Sequence, residues 1–180
     1  LNANSSVMYN SDDWNNDRAI FLNGEAFFKV AKGQKFDVIT NDGLVSVLGT
    51  QFNVKQRDDY YQVVCYEGLV AVGYQDQVVT LNPGDAFTIR DGKQIANEKI
   101  TTTKPEWLSG ESNFKNVPLK YVIAEFENHY NKTIKTNGVN TSRLFTGTLT
   151  HKNIDLALQS MTIPLDLSYI ISENHIELKR

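Results

Sequence analysis

Apolar and polar residues alternate in short runs between residues 20 and 90, and a turn signal closes each run. The runs are Ala19–Leu22, Ala26–Val30, Phe36–Ile39, Leu44–Leu48, Phe52–Val54, Tyr60–Tyr66, Leu69–Gly73, Gln77–Leu81 and Asp85–Ile89. Between them stand Asn23-Gly24, Lys32-Gly33, Asn41-Asp42-Gly43, Glu67-Gly68, Asn82-Pro83-Gly84 and Asp91-Gly92. A period of two is that of a half-buried strand, and these dipeptides are hairpin and turn formers. Short strands at this spacing predict a mainly β N-terminal domain over residues 1–103, as a sandwich, a barrel or a β-helix-like winding. Within it, Val47-Leu48-Gly49-Thr50-Gln51-Phe52-Asn53-Val54 reads as a strand, a glycine-centred bend and a second strand. No residue of that phrase acts unaided as a base or nucleophile at neutral pH, so it points to shape and not to chemistry.

Thr101-Thr102-Thr103-Lys104-Pro105 is a polar linker whose proline cannot continue a central strand. Beyond it the period changes. Leu119, Val122, Ile123, Phe126 and Tyr130 fall at helical spacing, with Pro118 suited to the first turn. A strand at Thr133–Lys135 follows, then Gly138 in a connection, then a strand at Leu144–Leu149. Asn153 is the expected N-cap of a second helix, Ile154, Ala157, Leu158 and Met161 form its buried stripe, and Pro164 stops it. Leu165–Ile171 and His175–Leu178 read as a hairpin around Glu173-Asn174. Residues 104–180 are therefore expected to form a small α+β domain, βαβ followed by βαββ.

Composition narrows the function. An apolar share of 41% in 180 residues is that of a folded core, and a net charge of -3 argues against a nucleic-acid partner. No stretch approaches the roughly 20 apolar residues that span a bilayer. One cysteine, Cys65, excludes an intrachain disulfide and reads as a small buried residue of a strand.

Candidate chemistry is sparse. His129, His151 and His175 stand far apart in sequence, on different predicted elements and without metal-ligand spacing. No cofactor is expected. Glu25 and Glu67 could serve as a glycosidase pair only if they met across a groove. Asp12-Asp13 and Asp58-Asp59 lack the spacing of a calcium loop. Trp14, Tyr60 and Tyr61 would serve a carbohydrate-binding β domain of the cell envelope if they were exposed. That is the main alternative reading. A structural module of an envelope assembly is a third.

Gly24-Glu25-Ala26-Phe27-Phe28-Lys29-Val30, Phe36-Asp37-Val38 and the phrase Val47–Val54, then Glu67-Gly68-Leu69-Val70 and Leu81-Asn82-Pro83-Gly84-Asp85, resemble the periplasmic part of FecR-type anti-sigma regulators. Gly24, Glu25, Gly49, Thr50, Phe52, Gly68, Pro83 and Gly84 carry the motif. Leu1-Asn2-Ala3-Asn4-Ser5 resembles a segment inside that domain, which suggests that the domain's first strand lies upstream. Trp107, Phe114–Leu119 and Phe145-Thr146-Gly147-Thr148-Leu149 resemble the following domain of the Bacteroidetes branch, which is similar to the secretin and TonB short N-terminal domain.

The resemblance implies a non-enzymatic sensor, periplasmic and anchored in the inner membrane by a helix upstream. It implies two partners: the N-terminal signalling domain of a TonB-dependent outer-membrane transporter, and an extracytoplasmic-function sigma factor held by a cytoplasmic segment outside this sequence. Sheet edges recruit partners by strand addition. The expected edges are Leu144, Phe145, Thr146, Gly147, Thr148 and Leu149, and the terminal run His175–Leu178.

Overall fold

The computed structural model describes residues 1–96, 99–173 and 175–180. It divides into two compact units, Leu1–Pro105 and Glu106–Arg180.

The first unit holds β1 (Ser6–Tyr9), β2 (Ala19–Lys29), β3 (Phe36–Ile39), β4 (Leu44–Val47), β5 (Gln51–Arg57), β6 (Tyr60–Glu67), β7 (Val70–Tyr74), β8 (Gln77–Leu81), β9 (Ala86–Arg90) and β10 (Lys93–Ile95). They form one sheet in the order β10-β9-β6-β5-β2-β3-β4-β7-β8, with β1 beside β2. The pairing of β2 with β3 is parallel. The sheet curls around a single core, in which Leu81 of β8 joins Phe87 and Ile89 of β9 from the far side of the strand order. The period-two pattern explains this. In β3 and β4 the residues Phe36, Val38, Val45 and Val47 are buried, and their neighbours are not. At β5, Phe52 is fully buried and stacks on Phe28 of β2 with ring centroids 5.1 Å apart.

The sequence predicts a turn at Asn23-Gly24, and the structure corrects this. Both residues lie inside the uninterrupted strand β2. The strand changes neighbours there: Ile20–Asn23 pair with β1, Ala19–Phe21 also pair with β3, and Gly24–Lys29 pair with β5. Gly24 has φ +98, and a Cβ at this position would lie 2.4 Å from Ser5 Oγ and 2.9 Å from Ser5 Cα. The dipeptide that usually closes a hairpin here bends a long strand and admits another strand's backbone.

Glu25 follows directly and is 4% exposed. Its Oε1 accepts from Asn53 Nδ2 at 2.9 Å, and its Oε2 accepts from Asn2 Nδ2 at 2.8 Å. Lys55 Nζ lies 3.5 Å from Oε2. Arg57 completes the attachment of the N-terminal segment by donating to the carbonyls of Ala3 at 2.5 Å and Asn4 at 3.3 Å. A buried carboxylate is tolerated only when its acceptor sites are filled in this way.

Cys65 on β6 is fully buried. Burial, and secondarily the nearby Asp85 carboxylate, push its thiol up to about 11. Tyr61 on the same strand is buried between Tyr74 and Phe87, at ring centroids of 6.2 and 6.3 Å. It is therefore not the exposed aromatic that a carbohydrate site requires.

The second unit begins with a 3-10 turn at Glu106–Ser109. It continues as β11 (Glu111–Pro118), α1 (Leu119–Tyr130), β12 (Thr133–Lys135), β13 (Leu144–Thr150), α2 (Ile154–Thr162), a 3-10 turn at Ile163–Leu165, β14 (Ser168–Ile171) and β15 (His175–Lys179). This is the expected order of two strand–helix–strand halves. Asn153 caps α2 as expected, its Oδ1 accepting from Leu156 N at 3.0 Å. Pro118 sits one position earlier than expected, in extended conformation at the end of β11. Leu165 belongs to the 3-10 turn, because Asp166 reverses the chain at φ 51 before β14 begins. Asn174, placed by the sequence in the final turn, lies outside the described residues. The halves pair crosswise, β11 with β13 and β12 with β15. The core gathers Leu119, Val122 and Phe126 of α1, Leu158 and Met161 of α2, and Phe145 and Leu149 of β13.

Two predictions follow from these contacts. Glu25→Ala leaves three donors without their acceptor and is expected to cost about 2–3 kcal/mol in urea unfolding, whereas Lys35→Ala, which removes an exposed pair, changes stability by less than about 0.5 kcal/mol. The raised Cys65 thiol stays neutral up to about pH 11 when folded, while an unfolded thiol ionises near 8.5. Ellman's reagent at pH 8 is therefore expected to label it only after denaturant is added; full labelling of the native chain within minutes would contradict this.

Candidate functional site

Gly49, Thr50 and Gly68 of the motif meet at the bend between β4 and β5. Gly49 has φ +150, and a Cβ there would stand 2.6 Å from the Lys32 Cα, so only glycine fits. Thr50 is 3% exposed and exchanges two backbone hydrogen bonds with Val30 at the end of β2, at 3.0 and 3.1 Å. Its Oγ1 donates to the Leu69 carbonyl at 3.2 Å. Gly68 lies against Gly49 and Thr50. One bend thus ties the exits of β2, β4 and β6. Pro83 and Gly84 lie in the turn between β8 and β9, where Gly84 N donates to the Cys65 carbonyl at 2.9 Å. Gly49 and Gly68 both have positive φ at this bend, where their bare backbones pack closely.

The acidic pair does not meet. Glu25 is opposite Lys55 on β5, and Glu67 is opposite Gln51. Four residues of strand separate those levels, on the order of 13 Å. Carboxylates flanking one glycosidic bond stand about 5–10 Å apart. Glu25 is also occupied by its amide and lysine partners, and Glu67 accepts from Gln51 Nε2. Trp14 is half-buried, edge-on to Tyr9 at 5.1 Å and to Phe36 at 6.2 Å. The carbohydrate reading thus lacks its acid pair, and of its three aromatics Tyr61 is buried while Trp14 and Tyr60 are half-buried.

In the second unit, β13 pairs with β11 from Leu144 to Thr150. No other strand pairs with it among the described residues, so one edge of β13 is open. Leu144, Thr146 and Thr148 are exposed, while Phe145 and Leu149 enter the core. A Cβ at Gly147 would lie 2.7 Å from the Phe145 ring, so the glycine leaves room for that ring to fold back over the strand. Thr148 Oγ1 donates to Asn113 across the pair. The other expected edge is corrected. Strand β15 is central in its sheet, parallel to β12 on one side and antiparallel to β14 on the other, so His175–Leu178 has no edge to offer.

Two histidines treated separately in the sequence are brought together. The rings of His129, late in α1, and His151, after β13, stack with centroids 3.9 Å apart and planes 23° apart. His129 Nε2 donates to the His151 carbonyl at 3.1 Å. Ser112 Oγ lies 3.0 Å from His151 Nε2 and donates to the buried Glu125 Oε1 at 3.0 Å. The serine stands between acid and imidazole. In a nucleophilic triad the imidazole stands between the other two, so this arrangement fastens β11, α1 and the β13–α2 turn together. No local signal reveals it, because 39 residues separate Ser112 from His151. His175 is on β15, apart from this pair. No cluster of three metal-ligating side chains occurs among the described residues.

Known proteins place this geometry. No curated protein matches the sequence. The FecR protein family matches residues 1–71, and the FecR C-terminal family matches residues 111–178. Two crystal structures of a candidate anti-sigma factor from Parabacteroides distasonis superpose with a TM-score of 0.89. They are 27% identical and cover 100% of this chain and 88% of theirs. No helix among the described residues is long and apolar enough to cross a membrane. With both domain matches in order along it, and a shared fold over its full length, the chain belongs to the FecR family of anti-sigma factors.

Proposed function

We propose that this chain is the periplasmic sensor of a FecR-type regulator anchored in the inner membrane. Family membership supports a role in sigma-factor regulation. The finer reading has two steps. The signalling domain of a TonB-dependent outer-membrane transporter contacts the sensor, and the change is passed inward to an extracytoplasmic-function sigma factor. Both steps are protein–protein contacts.

The observation that carries this is the open edge of β13. An edge strand presents a row of backbone donors and acceptors that a strand from a partner can satisfy. Leu144, Thr146 and Thr148 would flank the added strand. The Gly147 backbone, whose side-chain space Phe145 already fills, lies in the middle of that edge. Behind the edge, α1, β13 and α2 share one core, and hydrogen bonds through Ser112 join β11 to α1 and to the turn after β13.

Calorimetry of the chain against the signalling domains of transporters encoded beside its gene tests the reading. Binding in the micromolar range to one neighbour is expected. Thr148→Pro, which removes a backbone donor, and Thr146→Lys, which puts a charge at the edge, are expected to weaken it at least tenfold while circular dichroism stays unchanged. Binding that ignores both changes would rule out the β13 edge. Absence of binding to every neighbour would rule out the transporter partner.

A further inference from the structure

The three-stranded sheet of the second unit runs β12-β15-β14, so β14 has β15 on one side and, among the described residues, no strand on the other. The hairpin register decides which backbone groups face that open side. Ser172 N donates to the His175 carbonyl at 2.9 Å, and Ile171, Ile170, Tyr169 and Ser168 follow opposite Ile176, Glu177, Leu178 and Lys179. Opposed residues of an antiparallel ladder alternate between hydrogen-bonded and non-bonded pairs. Ile170 and Ser168 therefore direct their backbone groups to β15, and the N–H and C=O of Tyr169 and Ile171 point to the open edge.

No charge, proline or bulge guards that edge. The opposite edge of the sheet, β12, is only three residues long and ends in Lys135. Both isoleucines of β14 are open, Ile170 at 50% and Ile171 at 46%. They project to opposite faces of the sheet. Ile171 and Tyr169 lie on the core side, opposite the fully buried Ile176 and Leu178. A core-side isoleucine that stays half exposed marks where an apolar row stops for want of another strand.

The open run is short. Just before it, Leu167 N already donates to the Thr162 carbonyl at 3.1 Å, and Asp166 reverses the chain at φ 51. Just after it, the turn from Ser172 to His175 closes the hairpin. The edge thus offers the outward groups of Tyr169 and Ile171, with Ile170 between them.

A second copy of the chain matches this spacing about a two-fold axis through Ile170. Tyr169 of each copy then stands opposite Ile171 of the other, and each such pair exchanges both N–H···O=C bonds. Ile170 stands opposite itself as the non-bonded pair on the axis. Core faces stay on one side of the joined sheet, so Leu178 and Tyr169 of one copy continue into Ile171 and Ile176 of the other. Sliding the copies by two residues would set Ile171 against Leu167, whose N–H is taken, or Tyr169 against the charged Glu173. The central register brings no charge opposite its like, since an apolar pair occupies the axis. One strand edge covers less than the roughly 800 Å² per partner of a standard interface, so the association is weak.

We propose that β14 pairs with β14 of a second copy of this chain, antiparallel about Ile170, into a six-stranded sheet that spans both. The edge is separate from that of β13 and does not depend on the reading given there.

Sedimentation equilibrium of the whole chain from about 10 μM to about 1 mM is expected to show a monomer–dimer equilibrium with its dissociation constant inside that range. Ile170→Lys and Ile170→Glu set like charges opposite each other on the axis. Each is expected to weaken association at least tenfold while circular dichroism stays unchanged, because the side chain is exposed. Mixed in equal amounts, the two variants are expected to associate at least tenfold more tightly than either alone, since lysine then faces glutamate. Ile171→Pro removes an outward N–H and no bond to β15, and is expected to weaken association as much as the charges do. A chain that stays monomeric at millimolar concentration, a dimer indifferent to these changes, or charge variants that mixing does not rescue overturns the proposal. A dimer lost only in Thr148→Pro overturns it too, by assigning association to the β13 edge.

Discussion

Strand β2 must serve two sets of neighbours, and the first unit depends on how it does so. Its first half is held by β1 and β3, and its second half by β5. At the crossing, Gly24 yields space to Ser5, and Glu25 places a carboxylate where Asn2, Asn53 and Lys55 converge. Without a glycine the β1 segment could not approach. Without the acid, the Asn2 and Asn53 amides and the Lys55 ammonium group would lose the carboxylate on which they converge. The low-dielectric interior makes such a network valuable when complete and costly when broken.

The same economy governs the bend at Gly49-Thr50, where three loop exits are joined by backbone hydrogen bonds and one hydroxyl. Both constructions bring the core residues Phe52 and Val54, and Phe28 packed against them, into register by fixing backbone, not by adding apolar area. A sheet that curls to enclose its own core needs such points, since strand twist alone does not decide where the neighbours change.

The second unit works by a different rule. Its two halves are too small to bury their apolar faces alone, so they interleave, and each contributes a helix to a shared core. Among the described residues, interleaving leaves β15 enclosed and β13 with a single strand neighbour. The open edge is thus a consequence of the crosswise pairing. The stacked His129 and His151, with Ser112 and Glu125, fasten that pairing at one end.

The sequence by itself determined the element types and most of their limits. Apolar period and turn chemistry are local, so β3 through β9, both helices and the Asn153 cap could be read directly. What the tertiary structure decided is everything that depends on neighbours distant along the chain. Asn23-Gly24 carries a hairpin signal, but the competition between β1, β3 and β5 for β2 overrode it. His175–Leu178 looked terminal and therefore open, but parallel pairing with β12 enclosed it. Glu25 and Glu67 were kept apart, and His129 and His151 were stacked, by strand registers that no local pattern encodes. Alternation tells which face of a strand is wet; only the order of strands tells which wet positions line up, as Met8, Phe21, Leu44 and Val78 do.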